Sequence, residues 1–189
     1  MRTLPGYVLL LLSLSAITAC QSLGLGKTLS LNNPGFEEGE GSAPTNIPGW
    51  LLNQHAGKMG VSAYEIVIDS GAGPGNNRSL RVTRVLDEVY GWVHQKVSVG
   101  PDAAGKALHF SALLKAGNVG PEGWLLVVNM NSTAGIIQQF RSQPITGTSD
   151  WRRTDLTATI PPGTVKVDVG FLLLDAGTGW ADDASLSIE

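Results

Sequence analysis

The hydrophobic period of this chain limits its fold more than any other feature. Near the C-terminus, "VKVDVGFLLL" (165–174) puts Val165, Val167, Val169 and Phe171 on one side of an extended backbone, because successive side chains of a strand point to opposite faces. The same period of two returns in "SLRVTRV" (79–85), where Leu80 and Val82 alternate with Arg81 and Thr83. It returns again in "ALHFSALLKA" (107–116), where Leu108, Phe110, Ala112 and Leu114 share a face. Similar short runs lie at 28–33, 64–69, 91–99, 123–131, 135–140, 151–160 and 179–188. Clusters of Gly, Pro, Asn and Ser such as "SGAGPGNN" and "GPDAAG" separate them. No segment keeps an apolar period of 3.6 residues for three turns. Nine or ten strands spaced about 10–15 residues apart predict an all-β sandwich or barrel.

The first twenty residues stand apart. Arg2 precedes the apolar run "YVLLLLSLSAI", and "TAC" follows it. That run is too short to span a bilayer as a helix and has the layout of a secretory signal. Ile17-Thr18-Ala19-Cys20 resembles a bacterial lipobox, in which the cysteine becomes the lipidated first residue of the mature protein. Cys20 is the only cysteine of the chain, so no intramolecular disulfide forms. The alternative is an ordinary signal peptide with an incidental cysteine. Gln21 stands where an aspartate would mark retention in the inner membrane, so the resemblance implies the outer membrane. The expected organisation is a signal peptide over 1–20, a short tether over 21–27 and one domain over 28–189.

Composition then excludes several classes. Charged residues are 15% of the chain and the formal net charge is -3, which gives no basic footprint for nucleic acid. The three histidines, His55, His94 and His109, have no metal-ligand spacing. No nucleophile elbow or phosphate-binding glycine loop occurs.

One detail contradicts an ordinary core strand. In "GWADDASLSI", strict alternation puts Asp182 on one face with Ala184, Leu186 and Ile188. An unpaired carboxylate there is costly to bury, so a partner is expected. Glu37 and Glu38 lie just after the first strand, in "LNNPGFEEGEG". A carboxylate from each end of the chain, with carbonyls from the region of Asn77 or Ser79, suits a hard cation such as calcium. The alternative is that the glutamates are solvated and backbone amides satisfy Asp182.

At this point the sequence resembles a family. "LNNPGFEEG…PGW", "NNRSLRVT", "HFSALLKA", "DWRRTDLTATIPPGTVKVDVGFLLL" and "GWADDASLSI", in this order, resemble carbohydrate-binding modules of the family 4/9/22 type. The resemblance covers nearly the whole chain after the signal. It implies a galactose-binding-domain-like jelly roll of two antiparallel sheets. It also implies a structural calcium held by Glu37 and Asp182; the Asn77 backbone carbonyl remains the further donor suggested by the loop alone.

Sugars are commonly held by aromatic rings and amides. Trp92, His94 and Lys96 lie opposite Val93, Val97 and Val99, and Asn129 and Gln139 sit on neighbouring runs. Trp92, His94, Asn129 and Gln139 are therefore the expected sugar contacts. Trp50, Trp124, Trp151 and Trp180 follow turns and are expected to plug the sandwich ends; Trp92 follows a glycine and has the same alternative. The adjacent acid pairs 37/38, 87/88 and 182/183 are poor candidates for a glycosidase dyad. The expected function is a lipid-anchored, non-catalytic binder of a polysaccharide or cell-wall glycan. The alternatives are an envelope lipoprotein that uses the same fold to dock a protein, and a jelly-roll hydrolase or lyase.

Overall fold

The computed structural model describes residues 26–39, 47–54 and 61–189. Cys20, the signal segment and His55 lie outside these residues. Ten strands are present: β1 (Lys27–Leu29), β2 (Leu51–Gln54), β3 (Tyr64–Ser70), β4 (Arg78–Arg84), β5 (Gly91–Ser98), β6 (Ala107–Ser132), β7 (Gly135–Arg141), β8 (Ile145–Thr159), β9 (Lys166–Leu173) and β10 (Thr178–Ile188). Every pairing between them is antiparallel.

The strands form the two layers of a jelly-roll sandwich. The back sheet runs β3-β4-β10, then the N-terminal half of β6, then β8, with β1 beside the end of β10. The front sheet runs β2-β5-β9, then the C-terminal half of β6, then β7. The runs 107–116 and 123–131 are one strand of 26 residues, not two. The strand crosses between layers through Gly117–Gly123 without leaving its ladders. Asn118 at φ 52° and Gly123 at φ 84° make the bends, and the pairing with β8 shifts register there.

Alternating side chains meet between the layers. Phe171 of β9 lies at the centre, 5.9 Å from the rings of Phe36, Phe110 and Trp124 and 5.3 Å from Trp50. Each such ring buries about 150–250 Å², so this cluster ties both sheets to the 32–50 segment. Trp124 is fully buried and its indole N–H donates to the Trp180 carbonyl at 3.1 Å. The Trp151 indole donates to the Ala72 carbonyl, and the Trp180 indole donates to Asp69.

β10 departs from simple alternation. Asp182 pairs with Leu113 and Ser185 with Ser111, so the strand bulges between them. Asp183 takes φ 50° at that point. Ala181 packs into the core before the bulge, and Ala184, Leu186 and Ile188 pack into it afterwards. Asp182 does not share their face: it stands opposite Leu113. It is nevertheless only 2% exposed, because the segment around residues 33–38 covers it.

Candidate functional site

Two polar regions are positioned by this frame. The first is the acidic corner at the bulge. β4 accompanies β10 only as far as Ala181 and β1 only from Leu186. The 33–38 segment fills the interval, and Ala184 N–H donates to the Pro34 carbonyl at 3.0 Å. Asn33 and Phe36 adopt φ 46° and 55°, which turns the segment over the carboxylate. Asp182 Oδ1 accepts from the Asp183 N–H at 2.7 Å, and the Asn77 side chain also bonds it. Burial pushes the Asp182 carboxyl up to about 6, and the neighbouring Glu37 and Asp183 push the same way. Glu37 is fixed from the other side: its Oε1 accepts from Arg78 N–H at 3.3 Å, and its carbonyl accepts from the Arg78 guanidinium at 2.9 Å. Two carboxylates thus approach each other under a loop. The Asn77 carbonyl already accepts two bonds, from Gly71 and Gly73, so its side chain is the group turned to Asp182. Among the described residues, no three acidic, His or Cys side chains converge.

The second region is a cleft on the outer face of the front sheet. It encloses about 310 Å³. Registered pairs build its floor. Trp92, Leu172 and Leu125 form one row across β5, β9 and β6. His94, Gly170, Val127 and Arg141 form the next, and Lys96, Asp168, Asn129 and Gln139 the third. Leu174 and Ile136 extend the lining, and Val89 and Tyr90 form one wall. That wall is anchored from beneath: Tyr64 Oη donates to the Glu88 carbonyl at 3.0 Å. Gly91 leaves room for the Tyr64 ring, where a Cβ would lie 2.5 Å from it. Burial raises the Tyr64 phenol to about 12, so it stays a donor.

Three of the four expected sugar contacts, Trp92, Asn129 and Gln139, line this cleft. His94 does not. It is 3% exposed and stacks on Trp92 with ring centroids 3.8 Å apart and planes 9° apart. His94 Nε2 lies 2.7 Å from Asn53 Oδ1, which puts the proton on Nε2, the only donor of that pair. Burial lowers the His94 pKa to about 4, helped by Lys96. The imidazole is therefore neutral at physiological pH and backs the Trp92 ring. Gly170 lies beneath it; a Cβ there would run into the Val93 carbonyl and the His94 backbone.

The cleft's polar groups are ordered as a ladder. Asn129 is 2% exposed. Its Oδ1 accepts from Gln139 Nε2 at 2.8 Å, and Gln139 Oε1 accepts from Arg141 Nε at 2.8 Å. Among the described residues, the buried Trp92 indole N–H and Asp168 Oδ1 have no hydrogen-bond partner, although the Asp168 carboxyl is also bonded by the Asn131 side chain. Burial raises the Asp168 pKa against the pull of Lys166 and Lys96. Arg141, Val127 and Leu172 were readable as outward positions two residues from Gln139, Asn129 and Gly170. Nothing in the sequence placed Val89 and Tyr90 beside them, because the 85–90 loop carries no period.

No family model matches the chain, and no curated protein is similar to it in sequence. Solved structures do share its fold. A carbohydrate-binding module of family 4 is 20% identical over 85% of this chain and 100% of its own, with a TM-score of 0.56. TmCBM61, solved with β-1,4-galactotriose, is 20% identical over 85% of this chain and 99% of its own, with a TM-score of 0.52. The Stig cyclase Fisc from Fischerella sp. TAU, solved with an indole compound, is 13% identical over 87% of this chain and 98% of its own, with a TM-score of 0.60. The chain also spans 21% of the enzymatically active domain of bacteriophage CBA120 tailspike protein 4. The chain therefore has the jelly-roll fold of carbohydrate-binding modules, a fold that also serves cyclases.

Proposed function

We propose that this chain is a non-catalytic carbohydrate-binding protein of the cell envelope, lipidated at Cys20 after removal of a signal peptide and held in the outer membrane. Residues 21–27 would keep the 28–189 domain close to the bilayer. One observation carries the sugar reading: a cleft that pairs the Trp92 ring with an ordered amide ladder, on a fold shared with carbohydrate-binding modules. An apolar sugar face stacks on an indole, while hydroxyls exchange hydrogen bonds with amides. The Gln139 amide is aligned by Asn129, so it is ordered before a ligand arrives.

Calcium suits the acidic corner. Its donors, the Glu37 and Asp182 carboxylates, are hard oxygens, and nearby backbone carbonyls add to the set. The raised Asp182 pKa marks a carboxylate without a compensating cation. The ion would neutralise both acids and tie the start of the domain to its last strand.

Isothermal titration of the chain against neutral and acidic polysaccharides, with calcium present, tests the reading. Saturable binding that disappears in Trp92→Ala, with the unfolding midpoint retained, is expected. Failure to bind any glycan would overturn it. The largely apolar lining of Val89, Val127, Ile136, Leu172 and Leu174 favours a second reading, a flat apolar small molecule in the same cleft. Quenching of Trp92 fluorescence by indole derivatives, without quenching by any sugar, would select that reading.

A further inference from the structure

We infer that the cleft is specific for a carboxylate-bearing sugar, a hexuronate residue within a glycan, and that Arg141 recognises its carboxylate. The inference rests on the sugar-binding reading and narrows it.

Arg141 lines the cleft; three other strand arginines are held by carboxylates, whereas the Arg78 guanidinium is held by the Glu37 and Gly39 carbonyls and Arg152, outside the cleft, has no ion pair among the described residues. Arg81 pairs with Glu65 at 3.0 Å and Asp69 at 3.2 Å, Arg84 pairs with Asp87 and Asp175, and Arg153 pairs with Asp183 at 2.6 Å. Arg141 is held by an amide instead: its Nε donates to Gln139 Oε1, and Gln139 is held in turn by the buried Asn129. The bond through Nε fixes the guanidinium plane, and among the described residues no carboxylate pairs with its terminal nitrogens. A guanidinium fork recognises a carboxylate by two parallel hydrogen bonds. A ring stacked on Trp92 with a carboxylate toward Arg141 uses both features of the cleft at once.

The charge of the whole face agrees. Among the described residues, the outward side chains of the front-sheet strands include Lys96, Lys166 and Arg141 against one acid, Asp168. This face is cationic on a chain of net charge -3. Asp168 is buried and its pKa is raised. Asp87, on the nearby loop, is engaged by Arg84. Lys96 lies three strands from Arg141, about 14 Å at ordinary strand spacing. A glycan crossing the strands would therefore meet a second cation several sugar residues on.

The test uses the full chain in mild detergent with calcium. Polygalacturonate, alginate and glucuronoxylan are each titrated beside their carboxyl-reduced forms. At least one acidic polymer is expected to bind about 10-fold more tightly than its reduced form, with that margin shrinking as salt screens the pairing. Arg141→Gln should abolish the margin between the acidic polymer and its reduced form, whatever it does to the affinity for either; Arg141→Lys, which keeps charge without the fork, should restore only part of the margin. Thermal unfolding checks that the variants fold. Equal, Trp92-dependent binding of acidic and reduced polymers would overturn this inference and leave the sugar-binding reading standing. A preference that survives in Arg141→Gln would also overturn it. No binding to any polymer, acidic or neutral, would overturn both.

Discussion

The two outer faces of the sandwich hold their arginines in different ways. On the back sheet, charges answer one another. Arg81 meets Glu65 and Asp69, Arg153 meets Asp183, and Ser111 meets Ser185. Even the Trp180 ring is covered, by Lys115 Nζ at 5.3 Å. On the front sheet, amides order a guanidinium that has no carboxylate, and an indole N–H and a carboxylate oxygen are buried without partners. A buried polar atom without a partner costs about 1–3 kcal/mol. Such atoms are not confined to the front: Ser79 Oγ and Ser149 Oγ on back-sheet strands are also buried without a partner among the described residues. The contrast lies in the guanidiniums, which carboxylates hold at Arg81 and Arg153 and an amide holds at Arg141.

The largest effect that sharpens this contrast compares two tryptophans. Trp124→Ala should cost about 3–5 kcal/mol, because it empties the core centre and removes a satisfied indole. Trp92→Ala should cost well under half of that in the same urea titration, yet abolish ligand binding. Equal losses of stability would remove the distinction between a structural and a functional ring.

Gly170→Ala comes next. Its Cβ meets backbone atoms of β5, which cannot rotate away, so a loss of about 1–3 kcal/mol is expected. The displaced His94 should also weaken ligand binding. A wild-type affinity in this variant would show that the imidazole does not position Trp92.

The buried acids and His94 differ in the sign of their pH dependence. Asp182 titrates near 6 in the folded chain and near 3.9 unfolded. Between about pH 4 and 6 the folded state holds the extra proton, so the metal-free protein should lose stability as pH rises through that window. Asp168, also raised by burial, adds in the same direction. His94 has its folded pKa near 4, below the ordinary 6.5. There the unfolded state holds the extra proton, so this histidine adds stability as pH rises from about 4 to 6.5. Chelated Asp182→Asn should show the rise with less of the fall, and chelated His94→Gln the reverse. Under the calcium proposal, the ion should raise the wild-type melting temperature most above pH 6 and leave Asp182→Asn nearly unchanged. A wild-type melting curve insensitive to chelation at pH 7 would remove the metal from the corner.

The smallest effect belongs to the back face. Arg81→Ala breaks partly exposed ion pairs and should cost about 1 kcal/mol or less. Ligand affinity should not move. A change in affinity would mean that the back face takes part in binding.

The residues that were legible and those that were not separate along a physical line. Alternation in β5 gave the outward position of Trp92, because a regular strand maps sequence directly onto faces; for Asn129 on β6 and Gln139 on β7 the outward face was settled by register with the neighbouring strands. The same rule failed at Asp182, where a bulge breaks the mapping and no local signal announces it. It separated residues 107–116 from 123–131, since the glycines between them read as a turn. It also put His94 on the correct face but in the wrong role. Whether an outward side chain meets solvent or a neighbouring ring depends on strands distant in sequence.

The chain by itself determined that the domain is a β-sandwich, that its layers pack through alternating apolar residues, and that Trp92 faces outward. Period and turn chemistry are local properties, and they carry that much. Only the tertiary structure decided that Asp182 comes to face Glu37 under a loop, that His94 backs Trp92, and that Arg141 is aligned by Gln139 without a carboxylate. Those pairings depend on register between strands up to about 150 residues apart, which is set by the packing of the whole core and written in no single segment.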